Sequence, residues 1–573
     1  MSNSILIKGG TIVDGTGAPV YPSDIRVTDG KIVAIGENLK REGRERVVDA
    51  DGCLVTPGFI ESHNHFDAIA WWLPSLEPMP GYGVTTSING NCGFTVAPIS
   101  GDPETIKEVV KVFSFIEDIP QKPFLSELPW DWSSWSEYRK SFEQRIKIPV
   151  NWACFVGHVT MRLTVMGKDA WTRAANDEEI AEMCVMLEDG LAAGALGLSS
   201  NLLDFDAHDR PIPPRNADVR EWAALFEVVE RHEGATVQLI VDTIARNDAP
   251  HTLETIIEAA GGKDIRLQVF NALPTGAYAA PRLPGAHETL EKMREAGLDV
   301  WPGYSNNTVT LTLNFNSTLI FAQSRNYAWA EVIEAEGKDA KFALLEDPAW
   351  RQRARESWNE TLDQSPIKNP NKIDLLESET GAGPIGVTLR EYMEETGLTE
   401  PSDALAEWVL DNGPGSILRL APLPRHEETI DHLLHDPKTV GNATDAGAHG
   451  QMFCGIGDNV ALLTDFVRER GQLSIEEAVH IMTGKVAGHF DLHDRGVLAV
   501  GKAADIVVFD LAGIERRPEK KAWDVPDGEG GLTYRWSREA APMVLTLVNG
   551  EPTFDHGDFT GRYPGRVVSP VAA

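Results

Sequence analysis

Apolar and polar residues alternate over short stretches at the start of the chain. ILIKGGTIVDGTG, DIRVTDGKIVAIG and RVVDADGCLVTPG read as short β-strands broken by glycine-containing turns. The same texture returns at the far end in GVLAVGKAADIVVFD and MVLTLVNGEPTFDHGD. Neither end makes a convincing fold alone, and chain termini often lie close in space, so the two are expected to pair into one small β-sandwich. Between them, short apolar runs alternate with amphipathic helices, the pattern of βα units around a parallel sheet. Two helices are well marked. Asn176 with Glu179 forms a capping-box pattern ahead of an apolar stripe of Ile180, Met183, Cys184, Leu187 and Leu191, with Gly194 as the stop, and Ser474 with Glu477 opens IEEAVHIMTG. Eight runs, GFIESHNH, VTTSINGNCG, VNWACFVGH, GALGLSS, ATVQLIVD, IRLQVFNA, LDVWPGYS and TVGNATDAG, mostly carry polar residues at their C-terminal ends. They predict an α/β fold, a (β/α)8 TIM barrel with its site on that face. The stretch from about Asn306 to Pro424 has no counterpart in a minimal barrel and reads as a subdomain inserted over its mouth. The expected organisation is a composite sandwich from residues 1–56 and 494–573, a barrel over 57–493, and an insert at about 306–424.

Composition narrows the functional classes. A chain of 573 residues is too long for one core, and a formal charge of −34 repels phosphate backbones and anionic lipid, so nucleic-acid and membrane-surface roles are not expected. The absence of a long apolar run, and of a basic start followed by an apolar core, leads to a cytoplasmic expectation. Five irregularly spaced cysteines, Cys53, Cys92, Cys154, Cys184 and Cys454, do not make a disulfide framework and leave each as a core residue or a ligand. A barrel of this size commonly forms a homo-oligomer, although no surface pattern names an interface.

The sharpest chemical signal is His63-Asn64-His65 at the end of GFIESHNH, followed by Asp67. Alternate strand residues share a face, so both imidazoles can reach one ion; the bland alternative is a pair of exposed turn histidines. Cys92, in the polar GNCG setting after a β-branched strand, is either a thiolate ligand or a small buried hydrophobe. Asp445 in TVGNATDAGAHG is either a catalytic carboxylate or an Asx-turn residue. His158 and His449 each fit a ligand, an oxyanion donor or a satisfied loop histidine. Arg162 suits a substrate carboxylate or a structural one equally. His208, His232 and His251 lie in charged surroundings that favour a surface reading, as do the pairs His432/His435 and His489/His493. Trp130, Trp132 and Trp135 of WDWSSW could line a pocket, though tryptophans are more often packing residues.

DADGCLVTPGFIESHNH resembles the amidohydrolase signature, in which a sandwich strand runs into the first barrel strand and its His-x-His ligand pair. GVTTSINGNCGFTVAP resembles the second-strand motif of the N-acyl-D-amino-acid deacylase group, whose Asn-Cys-Gly cysteine binds zinc. Further matches, including FSFIEDIP, WDWSSWSEY, GHVTMRLTVMG, RPIPPRNAD, DAGAHG and VNGEPTFDHGDFTGRYPGRVV, make the likeness nearly full length. The resemblance implies hydrolysis of a small-molecule amide, an N-acyl amino acid or a related compound. Its site would comprise His63, His65, Cys92 and Asp445 around one Zn2+ or another divalent metal, with Asp445 as general base for zinc-activated water. His158, Arg162 and His449 would bind substrate. The pattern departs from the group on the fifth and sixth strands, which offer Asp242 and Asn271 where the group has histidines, and no lysine lies between Asp169 and Gly262 to bridge two metals. A cyclic amide or lactone hydrolase using the same site, and a catalytically inactive barrel serving as a binding module, are the rival readings.

Overall fold

The computed structural model describes residues 4–206, 210–243, 248–305, 309–316, 318, 320–363, 365–422 and 424–570, the side chains of 249 and 250 excepted. Strands from both ends of the chain form one nine-stranded sheet. Its seam is the antiparallel pairing of Leu54–Pro57 with Ile506–Phe509, which sets Val55 opposite Val508. Alternating apolar residues on these strands, among them Ile5, Ile7, Val27, Val55, Ile506, Val508 and Leu545, bury a core of their own.

The chain leaves that sheet at Gly58 and enters a parallel run. Phe59–Glu61, Val84–Asn89 and Asn151–Cys154 pair in that order, and Val156–Gly157, Gly197–Leu202, Thr236–Val241, Arg266–Phe270 and Asp299–Gly303 pair in a second sheet. Phe155 interrupts the third predicted strand, and hydrogen bonds Phe155 N to Asn89 O (3.1 Å) and Leu196 N to Cys154 O (2.9 Å) carry the ladder past it. Seven of the eight predicted runs therefore hold strands.

The eighth, TVGNATDAG, does not. Asn442 (φ 58°) and Asp445 (φ 56°) adopt left-handed backbone conformations that a strand cannot contain. The segment is nonetheless tied on both sides, by parallel bridges Gly303 to Val440 and Asn64 to Ala446. Hydrogen bonds from Ser62 N to Asn442 O (3.2 Å), His65 N to Ala446 O (2.8 Å) and Asp445 N to His63 O (3.0 Å) reinforce the second side. Asp445 is thus laced against the strand end that carries both candidate histidines.

Both predicted capping boxes are formed, on Asp177–Ala192 and Ile475–Met482. The first helix buries Ile180, Met183, Leu187 and Leu191, while Cys184 sits half-buried at the stripe's edge. Leu313, Trp329, Trp350, Leu375, Trp408 and Leu418 gather in a separate apolar core, with a four-stranded sheet of Thr312–Leu313, Ile417–Leu420, Ile373–Glu377 and Val387–Thr388. Asn306, where the insert was expected to begin, lies outside the described residues. A hairpin of Glu519–Pro526 and Leu532–Arg538 straps the loop that follows Asp445, through Trp536 N to Gly450 O (2.7 Å) and Arg538 Nη2 to Cys454 O (2.9 Å). Among the described residues no helix is long and apolar enough to cross a membrane.

Candidate metal centre

His63 and His65 follow directly on the strand Phe59–Glu61 and point the same way because Asn64 between them points the other. The Asn64 amide donates to Ser87 Oγ (3.0 Å), and its oxygen accepts from Thr444 Oγ1 (3.0 Å) and Ala446 N (3.2 Å). Cys92 reaches the same spot by a different device. It sits at φ 53° between Gly90 (φ 71°) and Gly93 (φ 74°), a left-handed turn that aims the thiol inward, and its N–H donates to Gln238 Oε1 (2.7 Å). A Cβ at Gly90 would come within 2.9 Å of Cys154 Sγ and of Thr95 Cγ2, so the tight approach of these strands requires glycine there.

The donor atoms converge. His63 Nε2 lies 3.3 Å from His65 Nε2 and 3.2 Å from Cys92 Sγ, and Asp445 Oδ1 lies 3.3 Å from His65 Nε2 and 3.8 Å from His63 Nε2. Tetrahedral zinc, with its usual bond lengths to nitrogen and sulfur, spaces two nitrogens about 3.4 Å apart and a nitrogen and a sulfur about 3.5 Å apart. The two imidazoles and the thiol therefore stand close to three vertices of one such polyhedron, and the donor set suits the ion; Asp445 and Glu117 form a second cluster with His65. Asp445 is the open member, with its side chain 38% exposed against 5% and 1% for His63 and His65.

Two further groups face this cluster. Glu117, at the end of the helix Pro103–Glu117, stands 3.6 Å from His65 Nδ1 and 3.7 Å from His449 Nε2, and His449 Nε2 is 3.8 Å from Asp445 Oδ2. The predicted His449 is thus at the site, and Glu117 is the residue the sequence reading missed. Its motif FSFIEDIP was noticed only as a likeness, and nothing local says that the glutamate meets a histidine.

Burial dominates the electrostatics. It pulls the His63 imidazole down to about 3 and His449 to about 4, and it pushes the Cys92 thiol well up, helped by Glu117 and Asp445. For His65 burial is outweighed by the carboxylates of Glu117 and Asp445, which raise it, and for Asp445 burial is outweighed by His65, which holds its carboxyl well below the usual range. Glu117 is shifted up by burial. A bound cation reverses this balance for the thiol, which a coordinating metal deprotonates outright. The cluster forms one wall of a cavity of about 270 Å³, lined also by Asp204, Phe270, Asn271, Tyr304 and Gln323.

A model of the amidohydrolase family matches residues 46–554. The chain belongs to the amidohydrolase family. It is 26% identical to D-aminoacylase of Alcaligenes xylosoxydans xylosoxydans, over 99% of this chain and 98% of that protein. To N-acyl-D-aspartate deacylase of the same organism it is 27% identical, over 99% and 95%. Among solved structures, N-acyl-D-glutamate deacylase from Bordetella bronchiseptica, complexed with zinc and a phosphonate inhibitor, matches with a TM-score of 0.66 at 22% identity, over 98% of this chain and 99% of that one. A D-aminoacylase structure concerned with a binuclear metal centre matches at 0.67 and 23%, over 99% of both chains. The fold is the amidohydrolase fold, a mixed α/β architecture.

In this amidohydrolase two residues expected to bind substrate lie elsewhere. His158 and Arg162, on the helix His158–Met166, do not line the cavity. Both are fully buried against Glu221, with His158 Nε2 2.7 Å from Glu221 Oε1, His158 Nδ1 2.9 Å from Ser200 Oγ, and the Arg162 guanidinium bonded to the other Glu221 oxygen. The carboxylate that Arg162 suits is structural, because a buried guanidinium needs a paired anion. His489, expected on a solvated face, is also fully buried, between Trp301 and Phe490. His432 and His435 are exposed as expected, and His208 lies outside the described residues. Trp132 and Trp135 are buried packing residues.

Proposed function

We propose that the chain hydrolyses the amide of an N-acyl amino acid, in the manner of a D-amino-acid deacylase, with one zinc ion held by His63, His65 and Cys92, a fourth position left for water, and Asp445 beside it. The observation that carries this reading is the convergence of His63, His65 and Cys92 at the edge lengths of a zinc polyhedron, with Asp445 Oδ1 3.3 Å from His65 Nε2, on the wall of a cavity large enough for a small amide. Such an ion, when bound, polarises a carbonyl and lowers the pKa of a water. The protein's own part falls to Asp445. Its second oxygen is turned from the histidine pair toward His449 and the cavity, so it can take a proton from the attacking water and return it to the departing nitrogen. Phe270, 4.3 Å from the His63 ring, shields the imidazoles from bulk water. Two of the relatives matched over nearly the whole chain are named N-acyl-D-aspartate deacylase and N-acyl-D-glutamate deacylase, which supports that substrate class.

The same proposal places the site on a (β/α)8 barrel closed by the segment 439–446, over residues 57–493, with the composite sandwich at 1–56 and 494–573 and the insert at about 306–424. The parallel pairings on both sides of that segment and the separate apolar cores at the terminal sheet and between residues 311 and 420 support the division.

Metal content and turnover measured together on N-acyl-D- and N-acyl-L-amino acids test it. Purified wild type should hold about one ion per chain. His63→Ala and Cys92→Ala should lose metal, while Asp445→Ala should keep most of it and lose roughly 10²- to 10⁴-fold in kcat. Full activity in the cysteine variant, or in metal-free wild type, would sink the reading.

A further inference from the structure

We infer that Glu117 is a positioning residue for the metal centre: one carboxylate oxygen orients His65 so that its Nε2 faces the cation, and the other holds His449 over the same cavity. The inference rests on the zinc reading above and adds a residue to it.

A neutral imidazole carries one N–H and one lone pair. If His65 Nε2 gives its lone pair to a cation shared with His63 Nε2 at 3.3 Å, the proton must sit on Nδ1. That Nδ1 is buried and makes no hydrogen bond, and Glu117 Oε1 stands 3.6 Å from it. The contact is longer than a hydrogen bond, and contacts of this kind tighten when a site's ligand binds. A carboxylate on the far nitrogen of a ligating imidazole fixes the tautomer and the ring orientation and makes the ring a better donor.

Glu117 is tied to His449 through the backbone and faces its ring. Its other oxygen lies 3.7 Å from His449 Nε2, and its backbone carbonyl accepts the His449 N–H. The loop carrying Asp445 and His449 is therefore registered against the same residue that faces His65.

Helix stability does not explain the glutamate. It is the last residue of Pro103–Glu117, where the helix end carries partial negative charge and disfavours an acid, and it is only 3% exposed. Asp118 follows at φ 52° and turns the chain away, leaving the Glu117 side chain directed at the cavity it lines. The His65 and His449 imidazoles give a reason for a carboxylate at this position.

The test uses the full chain as wild type, Glu117→Gln and Glu117→Ala. Zinc affinity is read by competition with a chromophoric chelator, and geometry by the visible spectrum after cobalt substitution, where Cys92 supplies a thiolate charge-transfer band. Glu117→Ala should weaken zinc binding about 10- to 100-fold and shift the cobalt ligand-field bands while the thiolate band persists. Glu117→Gln, which keeps the shape and an acceptor oxygen, should weaken binding several-fold, less than alanine does. It carries the test if the alanine variant fails to fold. His449→Ala should leave zinc affinity within about threefold of wild type, since the Glu117 contact to His65 remains. Unchanged affinity and spectra in both Glu117 variants overturn the inference while the metal reading stands. Absence of zinc binding and of the thiolate band in wild type overturns the metal reading itself.

Discussion

Cys92 owes its position to two glycines. A non-glycine residue in the left-handed region is strained by roughly 1–2 kcal/mol, and the turn Gly90-Asn91-Cys92-Gly93 concentrates that cost where the thiol must meet His63. Gly90→Ala would add both a positive-φ penalty and a clash with Cys154 and Thr95. It should lose about 1–3 kcal/mol in urea unfolding and weaken metal binding, and unchanged values in both measurements would show that the turn relaxes freely. His489 makes a different prediction. Both its ring nitrogens lack hydrogen bonds and burial pulls it down to about 3, so it stays neutral in the fold, while the unfolded chain takes up a proton below about 6.5. The unfolded state then binds more protons, and stability falls as pH drops from about 6.5 toward 3, by about 1 kcal/mol from this group at pH 5.5. His489→Leu should accordingly lose less stability than wild type between pH 7.5 and 5.5, and parallel urea midpoints across that range would refute the assignment.

At the scale of elements, residues between 311 and 420 hold an apolar core distinct from the others, centred on Trp329, Trp350 and Trp408. Trp350 is fully buried, stands 5.4 Å from Trp329 and donates its indole N–H to Ala328 O at 3.1 Å. Trp350→Ala should cost about 3–5 kcal/mol locally. Limited proteolysis should then cut within 310–420 while zinc stays bound, whereas loss of metal would mean that this core and the site unfold together. What was legible in the sequence follows the range of each signal. Capping boxes at Asn176 and Ser474 and the apolar stripe of Asp177–Ala192 are local, and they stand as read. The His63/His65 pair was legible because strand alternation fixes its geometry. The eighth strand failed because the left-handed backbone at Asn442 and Asp445 is only hinted at by residue type. His158 and Arg162 looked like site residues because they follow a strand end. Their partner Glu221 comes from a distant helix, Val219–Glu230, and no local pattern pairs them.

At the scale of the molecule, Asp505 joins the terminal sheet to the parallel run. Its carboxylate pairs with buried Arg495 and accepts from Asn151 Nδ2 (3.0 Å) and Asn549 N (2.7 Å), and its carbonyl accepts from Gly58 N (2.9 Å) just before the first ligand-bearing strand. Asp505→Ala leaves Arg495 with Asp494 as its remaining carboxylate partner and strips the Asn151 and Asn549 donors of this acceptor, and it should lose about 1–3 kcal/mol. Chemical unfolding followed by tryptophan emission and by zinc release should shift together, since the joint spans both regions, and separate transitions would show that the two ends of the chain act independently.

The seam between Leu54–Pro57 and Ile506–Phe509 also sets an order of events during synthesis. A ribosome delivers the histidine pair early and the strand that backs it almost last, so every nascent intermediate carries an open sheet edge beside an unfinished cation cup. A prematurely terminated product is left with a bare sheet edge at Leu54–Pro57 that chaperones and proteases can recognise.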